Sequence, residues 1–135
     1  VAIREKRTAY AVTLEQDGRL AAEGNEATRF DPEWTPEHLF LAALARCCVG
    51  ALAIHARRLS LDVTATAETS GTVGRRDDDS WGFLDLECRA NVDIRPEPDD
   101  ETIEMLLRKA ERGCFIGGSV RPKPTYAWTV NGRGR

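Results

Sequence analysis

Four cysteines are the side chains of this sequence best suited to chemistry: Cys47, Cys48, Cys88 and Cys114. A thiolate is both a nucleophile and a metal ligand. The spacing is adjacent, then distant twice over, with no C-x-x-C, and only His38 and His55 could add imidazole. That ligand pattern argues against zinc, and neither metal nor cofactor is called for. Four cysteines are too few for a disulfide scaffold, so in a reducing compartment these thiols are either reactive or inert packing.

The element that positions Cys47 and Cys48 is a long helix. Thr35 is its expected N-cap, Pro36 its first residue and Glu37 part of its first turn, with the end near Leu59. Leu39, Ala43, Cys47, Ala51 (or Gly50) and Ile54 follow at three- or four-residue steps and share a face. Phe40 and Leu44 widen that apolar band. Its breadth and its small residues suggest close packing on more than one side, including burial against a second subunit. Cys47 and Cys48 point about 100° apart, so they do not serve one site together. Cys47 lies on the small-residue face and Cys48 off it, which makes Cys47 the candidate nucleophile and Cys48 the bystander.

Cys88 falls in "LDLECRANVDI", where Leu84, Leu86, Cys88, Ala90, Val92 and Ile94 alternate with polar residues. This is a half-buried strand, and Cys88 reads as a small hydrophobe on its dry face. Cys114 ends a second helix, "PEPDDETIEMLLRKAERGC", capped by Asp99 or Asp100 and apolar along Ile103, Leu106, Leu107 and Ala110. Residue pattern alone leaves open whether Cys47 and Cys114 are two packing thiols or a redox pair.

Around these elements, "TAYAVTL" reads as a first strand, turned at Asp17-Gly18 into "RLAAEG". "LDVTATAETSGTVG" pairs with the Cys88 strand across the charged loop "RRDDDS", and "PTYAWTV" is a last strand. The expected fold is α+β, one domain over residues 1–135, with helices against an antiparallel sheet. A net charge of −3 with scattered basic residues offers no nucleic-acid footprint. No apolar run reaches the ~18 residues that span a bilayer. The opening "VAIREKRTAY" has no apolar signal core, so a cytoplasmic location is expected.

A mid-helix cysteine gains nothing from the helix N-terminus, so a Cys47 thiolate needs a cation from another segment. Arg46 points off its face. Glu37 lies ten residues before Cys47, too far to touch the thiol but placed to anchor an arginine between them.

"TPEHLFLAALARC", followed by "AERGC" and the closing "PTYAWTV", resembles the OsmC/Ohr family of thiol-dependent hydroperoxide reductases over about residues 28–130. Pro36, Glu37, Leu39 and Cys47 match the family's Pro-Glu-x-Leu and the cysteine ten residues after the Glu. Ala110 and Cys114 match its Ala-x-x-x-Cys. Phe115 stands where the family usually has Pro. The resemblance implies that Cys47 is the peroxidatic thiolate and Cys114 the resolving thiol, restored by a dithiol reductant such as a lipoylated protein. It implies an arginine held by Glu37 against Cys47. The "RF" stretch favours Arg29, as in the OsmC branch, and Arg19 is the alternate, as in the Ohr branch. The implied fold is an intertwined homodimer, with antiparallel sheets wrapped around a long central helix. The alternative function is a non-catalytic binding module or redox sensor of the same fold, with an apolar interface pocket; Trp34, Phe115 and Trp128 are candidates to line one.

Overall fold

The computed structural model describes residues 7–135. These form two compact units, divided between Thr35 and Pro36.

The first unit holds a small hairpin, β1 (Val12–Leu14) with β2 (Leu20–Ala22), antiparallel with Leu14 opposite Leu20. Gly18 turns it at φ +89°, a conformation that costs glycine little. The Ala11 amide donates to the Glu23 carboxylate, and Leu20 bridges to Thr28. The first strand is shorter than its alternation suggests, because residues 7–11 lie outside the ladder. Its apolar side chains Tyr10, Val12 and Leu14 are 67–80 % exposed.

The second unit begins with α1 (Pro36–Arg57), then β3 (Asp62–Arg75), β4 (Trp81–Arg95), α2 (Asp100–Arg112), α3 (Phe115–Gly118), β5 (Thr125–Val130) and β6 (Arg133–Gly134). The sheet order is β3-β4-β5-β6. β3 and β4 form a long antiparallel hairpin, and Arg75 pairs with Asp79 across its charged loop. β4 shows the expected alternation: Leu86, Cys88, Ala90, Val92 and Ile94 are buried, while Asp85, Arg89, Asn91 and Asp93 are exposed.

The sheet is mixed rather than antiparallel, because β5 runs parallel to β4 and places Tyr126 opposite Cys88. Residues 96–124 carry two helices and are long enough for the crossover that parallel strands require. β6 continues from β5 through Asn131 and Gly132, both at positive φ, as a tight hairpin turn demands.

α1 and α2 pack on the dry sheet face. Leu44, Leu52, Ile94, Ile103, Leu106 and Val130 form the fully buried centre of the core. Thr69 in β3 donates its hydroxyl to the Leu41 carbonyl at 2.7 Å, and Phe40 stacks on Phe83 at 5.1 Å. Together they set where α1 lies along the sheet. α2 is amphipathic, with Ile103, Leu106, Leu107 and Ala110 buried. Asp99 is its N-cap, accepting from the Thr102 amide at 2.9 Å.

The buried stripe of α1 is Leu44, Cys48, Ala51, Leu52 and Ala56. It is rotated by about one residue from the Leu39–Ala43–Cys47 face. Leu44, Cys48 and Leu52 repeat every four residues within an apolar band too broad for periodicity to mark its centre, and contact with the sheet and α2 selects that row. By length and composition α1 is also apolar enough to cross a membrane, and only 22 % of that stretch is buried within the chain. This corrects the expectation that no apolar run reaches that length: Arg46 is a single charge within residues 39–56 and leaves the stretch apolar on average.

Candidate functional site: a thiol cluster on the core helix

The four cysteines come together. Cys48 and Cys114 are brought to the core by α1 and by the end of α2, and Cys88 by the dry face of β4. Cys47 packs against this cluster from the half-buried edge of α1, and Tyr126 joins it from β5. All four thiols are free.

Cys47 packs against the core cluster that contains Cys114, near enough to act on its titration. Cys114 caps α3, and its sulfur accepts the Gly117 amide at 3.4 Å. The Tyr126 hydroxyl lies beside the same glycine and sulfur. Burial pushes the Cys114 thiol above its ordinary pKa, and proximity to Cys47 adds to that; the Gly117 amide and Tyr126 hydroxyl act the other way by bonding the thiolate. Tyr126 is itself shifted upward, first by burial and then by Cys114. Gly117 is required at its position: a Cβ there would run into the Tyr126 hydroxyl and press on the Cys114 sulfur.

Cys48 is fully buried in the core, in the same cluster as Cys88. The neighbouring Cys88 and burial together push the Cys48 thiol above its ordinary pKa. The adjacent Cys47 and Cys48 face different ways, as helix geometry demands.

Glu37 lies exposed in the first turn of α1. Arg29 and Arg19 belong to the first unit, where both converge on Asp17. Arg19 Nε is 2.7 Å and Arg29 Nη2 3.6 Å from its carboxylate. The Arg19 backbone amide is the largest influence holding Asp17 below the ordinary carboxylate range, followed within the attractive contributions by the Arg19 side chain.

Asp17 and Tyr126 are the residues the sequence reading left out. Asp17 appeared there only as a turn residue. Tyr126 was visible as the neighbour of Trp128 in alternation, but its meeting with Cys114 depends on the parallel pairing of β4 and β5. Of the aromatic pocket candidates, Trp128 is buried and donates to Glu111 at 3.2 Å, whereas Trp34 and Phe115 are exposed.

A cleft of about 630 Å³ opens beside Gly117 and Tyr126, with Arg108, Arg112 and Lys123 supplying positive charge and Glu111 negative. Among the described residues, no group of three His, Cys, Asp or Glu is arranged to hold a metal ion.

A long helix and a second amphipathic helix on one sheet face, with cysteines meeting from both, define the OsmC/Ohr type of α+β fold. The solved structures agree. An OsmC-like protein of unknown function from Vibrio cholerae matches with a TM-score of 0.71 and 18 % identity, covering 93 % of this chain and 100 % of that one. An organic hydroperoxide resistance protein from Elizabethkingia anophelis matches at 0.62 and 20 %, covering 94 % and 98 %. The organic hydroperoxide resistance protein OhrB of Bacillus subtilis matches at 0.54 and 17 %, covering 91 % and 96 %. No curated protein matches the sequence. The chain belongs to the OsmC-like protein family, which matches residues 24–129. That family is linked to organic hydroperoxide resistance through members such as these.

Proposed function

We propose that this protein is a cysteine-based peroxidase that reduces organic hydroperoxides to alcohols. The observation that carries this reading is that Cys47, on the half-buried edge of α1, packs against the core cluster that holds Cys114. Disulfide closure needs the two Cα atoms within about 7 Å, and the shared cluster brings the two residues into one region of the core.

The Cys47 thiolate attacks the terminal oxygen of the hydroperoxide. The O–O bond breaks, the alkoxide leaves as the alcohol after taking a proton, and Cys47 becomes a sulfenic acid. The Cys114 sulfur then attacks the Cys47 sulfur, expelling water and forming the Cys47–Cys114 disulfide. The Gly117 amide and the Tyr126 hydroxyl favour the Cys114 thiolate that this step uses. A dithiol, free or on a lipoylated protein, reduces the disulfide by exchange. The cations of the Arg108–Arg112–Lys123 cleft favour an anionic reductant there.

Arg29, with Arg19 as the alternate, exchanges Asp17 for Glu37 and presents its guanidinium to the Cys47 thiolate and the peroxide. The working unit is a homodimer. This accounts for the large apolar fraction of α1 left uncovered within the chain and for the exposed Tyr10, Val12 and Leu14. A cytoplasmic setting completes the proposal, since it keeps the four free thiols reduced.

The test is steady-state consumption of an organic hydroperoxide with a dithiol reductant, wild type beside Cys47→Ser. Turnover falls at least a hundredfold in the variant. Comparable turnover by Cys47→Ser defeats the proposal and leaves the binding-module reading.

A further inference from the structure

The Cys114 sulfur lies just behind the wall of the charged cleft. It accepts the Gly117 amide at 3.4 Å. A methyl group on Gly117 would stand 3.3 Å from it, against the Tyr126 hydroxyl. Gly117 and Tyr126 are themselves lining residues of that cleft, whose volume is about 630 Å³. The walls come from α2, α3, residues 123–124 and β5, whereas Cys47 stands at the half-buried edge of α1. Three exposed cations, Arg108, Arg112 and Lys123, line the cleft against one carboxylate, Glu111, among the described residues. Glu111 already accepts from the Trp128 indole at 3.2 Å. In a chain of net charge −3 the cleft therefore carries the opposite sign and attracts anions.

We propose that this cleft is the entrance for the reductant, a small dithiol carrying a carboxylate, and that its first thiolate attacks Cys114 rather than Cys47. This rests on the peroxidase reading for the Cys47–Cys114 disulfide that the dithiol reduces.

The carboxylate pairs with the cleft cations and leaves the thiol end for the Gly117 wall and the sulfur behind it. The cover over that sulfur is slight. α3 is a single turn of four residues, two of them glycine, and the Cys114 side chain is its N-cap. A disulfide sulfur is a poorer acceptor than a thiolate, so oxidation weakens this cap and loosens the turn. The exchange then has two steps. The first reductant sulfur bonds to Cys114; the Cys47–Cys114 bond breaks, and Cys47 leaves with the electron pair and takes up the proton of the first reductant thiol. The second reductant sulfur attacks the first; the mixed disulfide breaks, and Cys114 leaves with the electron pair and takes up the second proton. The dithiol is oxidised by two electrons to a cyclic disulfide, and both cysteines are reduced. Cys47 is the better leaving group, because the peroxidase cycle requires it as the thiolate. Hydroperoxide and reductant thus use separate entrances and do not compete for one pocket.

The experiment starts from the full-length protein oxidised with cumene hydroperoxide and freed of excess. Rapid-quench alkylation measures its rate of reduction by dihydrolipoate and by dihydrolipoamide, which differ only in the carboxylate. Dihydrolipoate is expected to react about tenfold faster at low ionic strength. The advantage disappears at about 1 M salt and in Arg112→Gln/Lys123→Gln. In a second arm the oxidised protein meets mercaptoacetate, a monothiol with a carboxylate, and is alkylated and mapped by mass spectrometry. The mixed disulfide is expected on Cys114, with Cys47 alkylated. Equal rates for the two dithiols, or a preference that the double variant keeps, overturns the cleft as entrance. A mixed disulfide on Cys47 overturns the order of attack. If hydroperoxide leaves the thiols unreacted, the peroxidase reading fails by itself; diamide then closes the Cys47–Cys114 bond, and the same two arms decide the entrance. Failure of diamide to close that bond overturns the proposal, since the cleft then has no disulfide to reduce.

Discussion

Cys114 is held between opposing influences: burial and Cys47 favour its thiol, while the Gly117 amide and Tyr126 hydroxyl favour its thiolate. Its raised pKa makes disulfide formation accelerate as pH rises toward that value. Tyr126→Phe removes one thiolate donor, so the pKa climbs further and less thiolate is present at a given pH. Losing a hydrogen bond to a charged group costs about 1.5–3 kcal/mol, or roughly tenfold or more in rate. Stopped-flow kinetics of the variant will show slower disulfide formation, a profile displaced to higher pH, and unchanged oxidation of Cys47. The register of Pro36, Glu37 and Cys47 was legible in the sequence because one helix fixes it. The Tyr126 contact was not, since three segments distant in the chain create it. The buried row of α1 was not legible either, because an apolar band this wide does not reveal which row meets the sheet.

At the scale of elements, α2 carries both the core and the approach to Cys114. Leu106 is fully buried on it, and Leu106→Ala will destabilise the fold by about 2–5 kcal/mol, read from the urea denaturation midpoint. The Asp99 cap contributes by a different route. Its hydrogen bonds with Thr102, side chain first, hold the carboxyl below its ordinary pKa. A depressed folded value means that the stabilisation is present above the unfolded pKa and disappears as pH falls through the folded one. Asp99→Ala will lower the melting temperature at neutral pH, and the difference from wild type will shrink in acid. Asp99→Asn will keep the cap without this carboxyl's pH dependence. The helices and the β3–β4 hairpin were clear from periodicity and capping residues. The parallel placement of β5 was not, because alternation within a strand carries no information about the direction of its neighbour.

At the scale of the molecule, α1 is the element whose surroundings the single chain leaves incomplete. Half of Ile54 is exposed on this otherwise apolar helix. Sedimentation will give twice the 15.0 kDa chain mass, and Ile54→Glu will shift the equilibrium toward monomer. The breadth of the apolar band is legible in the sequence, whereas the convergence of four scattered cysteines on one core required the fold. That convergence underlies the central claim, which a single-turnover experiment tests most directly. Reduced protein receives one equivalent of organic hydroperoxide. One alcohol will be released per chain, with a Cys47–Cys114 disulfide in matching yield. Unconsumed hydroperoxide, or alcohol released with both thiols still free, would contradict it.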